Sequence, residues 1–457
     1  MRLNSPAFRA EAAANLRLAL PVIAAQTAGV GMGAIDAIYA GRLGPEALAA
    51  VAVGVNINNL FLIFFMGLMM ACSPIIAHMV GAGRGADDIG RFMRRARRFA
   101  LGAGVLWMLL LNLIAPPILR VLNLADETVA EAIAFERWLS FSAIGTTLWF
   151  CLRFCAEGVA QVRPIVIASI VGLCGNIVFG WLFVFGNLGL PRLGVIGCGL
   201  ATTLSTLLMA LTLDGLYRRV PALRVYRGAG VRTTAAPEGA RDILRLGVPI
   251  ALILVAEGGL FVLTAMLMAR FGDHAVAAYQ VAINFASLAF MIPLGIGMAT
   301  TVRVGLAAGA GQHDQARYRG LVGLALGALN AASNAALMAI FPLTIAGFYS
   351  RDAEIIRQAG AFIVLAAGFQ LFDGVQATAN GALRGIKDTQ IPIGVTLAAY
   401  WAIGMPVGLL LAFPLGYGPA GLWWGLSAGL AFAALGLSLR FATKTSKTML
   451  LRSEPAA

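Results

Sequence analysis

Three carboxylic acids lie deep within long apolar stretches of the sequence, and these are the residues best suited to chemistry there. Asp36 lies in AGVGMGAIDAIYAG, Glu257 in LILVAEGGLFVL and Asp373 in GFQLFDGVQATANG. An ionised carboxylate at the centre of a bilayer costs about 2.5–3.5 kcal/mol even on the lenient insertion scale. The three acids therefore predict groups that bind and release protons or cations inside a membrane.

The depth of each acid follows from the rise of the helix that must carry it. At about 1.5 Å per residue, Glu257 and Asp373 are expected about 15–16 Å from the same end of their helices, near the midplane, and Asp36 in the outer half. Two neighbouring carboxylates can share a proton or, when ionised, hold a monovalent cation. We therefore expect Glu257 and Asp373 to form one site for H+ or Na+. Arg303, which also falls inside an apolar stretch, is expected to snorkel to the surface.

Other polar residues in the apolar stretches are weaker candidates, because such side chains more often form hydrogen bonds between helices. The candidates for contact with a cation or substrate are Asn176, Thr202, Gln280, Asn284, Gln370 and Gln376. Pro21 and Pro249 are expected to kink their helices. The five cysteines show no zinc-site spacing, and we interpret them as small packing residues.

The composition indicates the membrane environment that these residues require. Of 457 residues, 60% are hydrophobic and 12% are charged, whereas soluble domains usually carry about 25% charged residues. The mean hydropathy is +0.84. The net charge of +13 does not indicate binding to nucleic acid, because the basic residues form short clusters between the apolar stretches. The chain is therefore predicted to be an all-α polytopic protein of the lipid bilayer.

Apolar stretches long enough to cross a bilayer, which takes about 20 residues, recur twelve times. They are predicted near residues 18–40, 47–80, 99–122, 132–152, 164–186, 194–217, 246–269, 275–308, 319–348, 358–383, 390–413 and 419–440. Of the 34 Lys and Arg residues, 26 fall on one side of these spans and 7 on the other. By the positive-inside rule, both termini are predicted to be cytoplasmic.

An internal repeat relates the two halves of the chain. A shift of 228 residues aligns LRLALPVIAAQ, which starts at Leu16, with LRLGVPIALIL, which starts at Leu244. The same shift aligns the GAG triplets at Gly81 and Gly309. Six spans in each copy give both copies the same orientation, so the repeat is parallel and its axis follows the membrane normal.

The repeat also divides the chain into domains. We predict a six-helix N-terminal lobe at 1–216, a basic cytoplasmic linker at 217–245, a six-helix C-terminal lobe at 246–441 and a cytoplasmic tail at 442–457. The chain contains neither a Walker-type GxxxxGK[ST] motif nor an HExxH motif. ATP is therefore not expected to drive the protein directly, and a membrane-embedded enzyme is only a remote alternative.

Several motifs together resemble the multidrug and toxic compound extrusion (MATE) family, and within it the bacterial NorM-like group. They are LALPVIAAQ with Asp36 fifteen residues after Pro21, the GAG triplets after the second and eighth spans, EGVAQVRP at 157–164, GLPRLGVIGCGLATT at 189–203, Glu257, and FDGVQATANGALRGIKDTQIP at 372–392. The resemblance extends over the whole chain.

The resemblance implies a secondary antiporter, not an enzyme, in the bacterial inner membrane. Na+ or H+ would enter from outside, bind the acids that match Asp36, Glu257 and Asp373, and drive export of cationic, often aromatic compounds. No other cofactor is implied, and the chain is expected to act as a monomer. In a related branch the first-lobe Asp works with residues that match Asn176 and Thr202, but this chain has Gly180 where a second amide often stands.

The wider superfamily offers one alternative, a lipid-linked oligosaccharide flippase. Such proteins tend to line their cavity with several Arg or Lys for the pyrophosphate. The apolar stretches of this chain contain acids and essentially one arginine, Arg303. The residues therefore favour the exporter.

Overall fold

The computed structural model describes residues 5–121, 125–227 and 238–453, and within these ranges it contains helices and no strand. The α-helices are α1 (Pro6–Leu43), α2 (Pro45–Met70), α3 (Cys72–Gly81), α4 (Ala86–Val121), α5 (Asp126–Ser140), α6 (Ser142–Gly158), α7 (Arg163–Phe185), α8 (Val195–Arg219), α9 (Pro221–Arg224), α10 (Ala240–Met268), α11 (Asp273–Gly309), α12 (His313–Ile340), α13 (Pro342–Gly347), α14 (Ala353–Gly385), α15 (Gln390–Leu397), α16 (Met405–Ala412) and α17 (Pro419–Ser453). A π-helix, Ala398–Gly404, joins α15 to α16.

The predicted membrane spans are present in the described part of the chain. Eleven helical segments are long and apolar enough to cross a membrane. The bent pair α5 and α6, which meet at 41°, makes a twelfth if it counts as one span. The predicted all-α polytopic fold is confirmed.

Turns at equivalent repeat positions begin the second span of each half. Gly44, with φ of 136°, precedes α2, and Gly272, with φ of 95°, precedes α11. The two residues are 228 positions apart. Both adopt positive φ angles that glycine reaches without the steric strain of a Cβ atom. Pro45 then occupies the first turn of α2, where its missing N–H costs no helical hydrogen bond.

The described chain forms two compact units. One comprises Met1–Ile23 and Leu252–Ala457, and the other comprises Ala24–Ala251. Each boundary within a helix lies two residues after a proline, Pro21 in α1 and Pro249 in α10, and both helices continue through their proline. The start of each repeat thus belongs to the unit formed mainly by the other repeat.

Two glycines at equivalent repeat positions show how each unit packs against the helix segment that comes from the other repeat. A Cβ atom on Gly67 of α2 would lie 2.5 Å from the Ala251 Cα atom. A Cβ atom on its repeat partner, Gly295 of α11, would lie 2.4 Å from the Ile23 Cγ1 atom. Only glycine allows these close helix approaches.

The predicted lobes at 1–216 and 246–441, the linker and the tail stay predictions, and so do the proline kinks. Residues 228–237 of the predicted linker and 454–457 of the predicted tail lie outside the described residues. The described ends of the linker are largely helical, and α17 extends to Ser453, beyond the predicted span end at 440.

Candidate functional site

Asp36, on α1, is the centre of a buried polar cluster in the unit that comprises Ala24–Ala251. Its side chain is 6% exposed. The Thr202 hydroxyl of α8 donates to Oδ2 at 2.6 Å, and the Asn176 amide of α7 donates to Oδ1 at 3.1 Å. Asn176 is fully buried, and its own Oδ1 atom has no hydrogen-bond partner. Donors from two helices thus stabilise a carboxylate on a third.

Tyr39 fills the space beside this cluster at Gly180, the position where the resemblance leads us to expect a second amide. A Cβ atom on Gly180 would lie 2.2 Å from the Tyr39 Cε2 atom. The Tyr39 hydroxyl donates to the Ile177 carbonyl at 2.9 Å. The departure at Gly180 therefore has a steric cause: the tyrosine ring packs against α7 and leaves no room for a longer side chain.

In the other unit, α14 carries a buried polar stripe at helical spacing. Its members are Gln370, Asp373, Gln376, Asn380 and Arg384, each no more than 8% exposed. Intervals of three and four residues place them along one face of the helix. Small residues elsewhere on α14 bring neighbouring helices close: a Cβ atom on Gly381 would lie 2.2 Å from the Gly297 carbonyl oxygen of α11. Close packing therefore holds this stripe inside the unit.

The predicted meeting of Glu257 and Asp373 is visible in this unit. The two carboxylates lie close enough for their charges to interact, and Gln376 is within hydrogen-bonding reach of Glu257. Gln376 Nε2 also donates to the Tyr400 hydroxyl at 2.9 Å. Asp373 Oδ1 and both amide atoms of Gln370 are buried without a hydrogen-bond partner. The group therefore retains oxygen atoms that are free to take a cation or a proton.

Tyr400 reaches this group from the π-helix, Ala398–Gly404. Pro406 lies two residues after the end of the π-helix, and because it lacks an N–H it cannot donate to the carbonyl four residues earlier. The Met405 N–H instead reaches back five residues to the Tyr400 carbonyl. π-Helical turns of this kind are frequent at functional sites. The sequence signal was the proline, but its effect on Tyr400 could not be inferred from spacing.

Arg384 is a member of this group that the sequence reasoning missed. It follows the predicted end of the tenth span at 383, yet it lies in the last turn of α14, 8% exposed, and its guanidinium acts electrostatically on Glu257. No ion pair within 4.0 Å joins it to Glu257 or Asp373 among the described side chains. The acids therefore have a basic neighbour that their own apolar stretches do not contain.

Two further arginines have acidic partners. Arg153 is buried in α6, where its Nε donates to Glu157 at 2.8 Å and its NH1 donates to Gln26 Oε1 at 2.5 Å. Arg303 forms an ion pair with Glu11 of α1 instead of snorkelling freely. The acidic partner of Arg153 lies four residues away on the same helix, whereas that of Arg303 lies on another helix.

Two of the weaker candidates lie away from the buried groups. Gln280 and Asn284 are exposed on α11, and the Asn284 amide donates to the Gln280 carbonyl of its own helix at 2.8 Å. This local bond replaces the expected hydrogen bond between helices. Glu136 of α5, in contrast, was not singled out by sequence, yet it is 4% exposed and neither carboxylate oxygen has a partner.

The fold combines long apolar helices with a parallel repeat and with carboxylates inside the spans. These features together are typical of a secondary membrane transporter. The comparisons with known proteins specify the family. The MatE family model matches residues 21–182 and 249–410, two segments offset by the same 228 residues as the repeat. The chain belongs to the MatE family.

Relatives along nearly the full chain are multidrug resistance proteins. The chain is 39% identical to the probable multidrug resistance protein NorM of Pseudomonas aeruginosa, over 98% of this chain and 92% of the relative. It is 36% identical to the multidrug resistance protein PmpM of the same organism, over 96% and 94%. Identity to the multidrug resistance protein MdtK of Edwardsiella ictaluri is 35%, over 94% and 95%.

Solved structures show the same fold at lower identity. The eukaryotic MATE transporter AtDTX14 superposes with a TM-score of 0.82 at 23% identity, covering 96% of this chain and 98% of that one. An outward-facing multidrug resistance MATE family transporter of the MOP superfamily superposes with a TM-score of 0.85 at 21% identity, covering 96% and 97%.

These comparisons confirm the predicted family and the prediction that the chain is a transporter and not an enzyme. One sequence motif could be mistaken for an enzyme signature. GLSAG at 425–429 matches the letters of a GxSxG nucleophile motif, but it lies within α17, and the Ser427 hydroxyl donates to the Trp423 carbonyl at 3.0 Å. A serine inside a continuous helix lacks the strand-to-helix turn that exposes a nucleophile.

Proposed function

We propose that this multidrug efflux protein exchanges Na+ or H+ for small cationic, often aromatic compounds by alternating access. The observation that carries the proposal is the group formed by Glu257, Asp373 and Arg384. With both acids ionised, two negative charges and one positive charge leave a net charge of −1. Removing unbalanced charge from water is costly, so the group favours occupancy by one monovalent cation.

A proton, Na+ and a cationic substrate would then compete for this group, because each of them neutralises its net charge of −1. When a cation from outside neutralises the group, the attraction for a cationic substrate is lost and the substrate leaves. When the cation leaves to the cytoplasm, the group regains its charge and attracts the next substrate. Only a ligand that binds the two states with different affinity can shift the equilibrium between them, and the acids supply that difference.

The oxygens around Asp373 are suited to either coupling ion. Carboxylate and amide oxygens are ligands that hard cations prefer. The unpartnered oxygens of Asp373, Gln370 and Gln376 give Na+ a donor set, whereas a single carboxylate suffices for H+. The coupling ion is therefore the quantity to measure with Na+ and pH gradients imposed separately.

The cluster around Asp36 would act as a second cation-responsive site. Its carboxylate already accepts two hydrogen bonds, which stabilise the ionised form. Asp373 keeps an unpartnered oxygen, and Glu257 has the Gln376 amide within hydrogen-bonding reach. We therefore assign the main coupling role to Glu257 and Asp373 and a supporting role to Asp36.

The location and orientation follow from the sequence pattern and the relatives. We propose a bacterial inner-membrane protein that acts as a monomer, with both termini in the cytoplasm, because most of the basic residues lie on the side of the termini even when the buried Arg153 and Arg384 are left out. Family membership favours drug export over the alternative of flipping lipid-linked oligosaccharides.

Ethidium efflux from cells that lack other efflux pumps tests the proposal. Glu257→Gln and Asp373→Asn should each reduce efflux to the level of cells without the protein, and Asp36→Asn should reduce it partly. Asp352→Asn is the matched control, because Asp352 is the exposed N-cap of α14 and asparagine caps helices equally well. Full efflux by both Glu257→Gln and Asp373→Asn would refute the coupling role.

A further inference from the structure

Three of the five cysteines meet at one point in the unit that comprises Ala24–Ala251. Cys72 is the first residue of α3, and Cys151 and Cys155 lie one turn apart on α6. Their sulfur atoms all lie within 4.8 Å of one another, and each thiol is within hydrogen-bonding reach of the other two. The interpretation of these cysteines as separate packing residues was therefore incomplete.

The surrounding helices bring the three sulfurs together. A Cβ atom on Gly158 of α6 would lie 2.9 Å from the Ser73 carbonyl oxygen of α3, so the glycine allows α3 and α6 to approach beside the cluster. Cys151 and Cys155 share a helix face because they are four residues apart. The break after α2 at Ala71 places Cys72 at a helix start. All three side chains are 0–1% exposed.

A positive charge and an aromatic ring lie next to the cluster. The Arg97 guanidinium of α4 acts electrostatically on Cys151. It also forms an ion pair with Asp214 at 2.6 Å and lies 5.4 Å from the centre of the Tyr217 ring. The Tyr217 hydroxyl donates to the Leu152 carbonyl at 2.9 Å. The arginine can balance negative charge that thiolates would acquire, and the tyrosine hydroxyl is already engaged.

We propose that Cys72, Cys151 and Cys155 form a three-thiolate site for a soft metal ion of the Cu(I) type, distinct from the cation-coupling groups. Thiolates select soft ions such as Cu(I), and structural Zn2+ almost always takes four ligands. Metal–sulfur bonds of about 2.3 Å in a trigonal plane require sulfurs about 4.0 Å apart, within the observed spread. No His, Asp or Glu joins the cluster in the described part of the chain.

Binding would form metal–sulfur bonds and break S–H bonds, and each thiol that binds as thiolate releases one proton to solvent. The bound ion would link the start of α3 to α6. Because the sulfurs are buried, the ion should load fastest while the protein folds, during expression in copper-supplemented medium.

The remaining two cysteines provide matched controls. Cys174 is exposed on α7, and Cys198 is buried on α8 away from the cluster. Full-length protein expressed in copper-supplemented medium would be purified under anaerobic, reducing conditions, and its Cu(I) affinity would be measured by competition with a chromophoric chelator. We expect one Cu(I) per chain in the wild type, Cys174→Ala and Cys198→Ala, and at least a hundredfold loss of affinity in Cys151→Ala and Cys155→Ala. X-ray absorption should show three sulfur neighbours.

A second measurement keeps the test valid if one variant is unstable. Cu(I) should raise the apparent melting temperature of the wild type and of Cys174→Ala, because a ligand that binds only the folded state stabilises it. It should leave Cys72→Ala unchanged. Equal Cu(I) affinity in Cys151→Ala and Cys174→Ala would overturn the site, and so would a stronger preference for Zn2+ than for Cu(I).

Discussion

Replacing Asp373 by asparagine should abolish cation-driven transport while leaving the fold intact. The substitution removes one negative charge from a group whose other members are Glu257 and Arg384. Glu257 and Arg384 interact electrostatically, so the group that remains has no net charge and attracts neither a coupling cation nor a cationic substrate. Asparagine has nearly the same shape as aspartate, and the 3% exposed side chain should keep its packing.

The expected magnitude follows from the charge count. A site with a net charge of −1 exchanges one monovalent cation for one monovalent substrate, so a tenfold ion gradient supports at most tenfold substrate accumulation. That limit corresponds to about 1.4 kcal/mol. With Asp373→Asn the gradient should drive no accumulation above that of protein-free liposomes.

Proteoliposomes with a tenfold Na+ gradient, or separately a gradient of one pH unit, provide the assay. Ethidium accumulation is followed by its fluorescence with DNA trapped inside. Asp352→Asn is again the control, because it makes the same chemical change at the exposed N-cap of the same helix. Accumulation by Asp373→Asn equal to that of the wild type would show that this carboxylate is not part of the coupling group.

Two further predictions concern packing and buried charge, and both are checked by the apparent melting temperature in detergent. Gly180→Ala should destabilise the protein by about 1–3 kcal/mol through overpacking against Tyr39. Gly33→Ala is the control and should not destabilise it, because a Cβ atom on Gly33 would contact nothing within 4 Å. Equal melting temperatures for the two variants would contradict the steric explanation. Arg153→Met should destabilise by about 3–5 kcal/mol because it leaves Glu157 as an unpaired buried charge. Adding Glu157→Gln should recover part of that loss, and no recovery would mean that the charge is not the cause.

The sequence predicts the fold well because the bilayer imposes a simple rule on it. Each span must be apolar over about 20 residues, so the twelve predicted stretches correspond to the observed helices with differences mainly at their ends. The bend of 41° between α5 and α6 was not predicted. Hydropathy indicates whether a segment lies in the membrane, but it does not indicate where the helix is interrupted, as it is at Phe141.

The candidate site is predictable only in part. Asp36, Glu257 and Asp373 could be identified from sequence, because a carboxylate within an apolar stretch is costly to bury. Arg384 was not among the candidates because it follows the predicted end of its span at 383, although α14 carries it inside the unit. The contact of Tyr400 with Gln376 depends on a π-helix, which hydrophobic spacing does not reveal.

The repeat explains why the two units have the same architecture but different chemistry. At the shift of 228 residues, Gly44 and Gly272 make equivalent turns, and Gly67 and Gly295 make equivalent close contacts. The functional acids do not follow this rule: the repeat partner of Asp36 is Thr264.

Thr264 is 1% exposed, and its hydroxyl donates to the Leu260 carbonyl of its own helix at 2.8 Å. The repeat partners of Glu257 and Asp373 are Gly29 and Gly145, which have no side chain to ionise. The two copies are therefore alike at these turns and packing contacts, whereas their carboxylates occupy different positions. For this reason the two sites should not respond equally to the same cation, and efflux should be more sensitive to loss of Asp373 than to loss of Asp36.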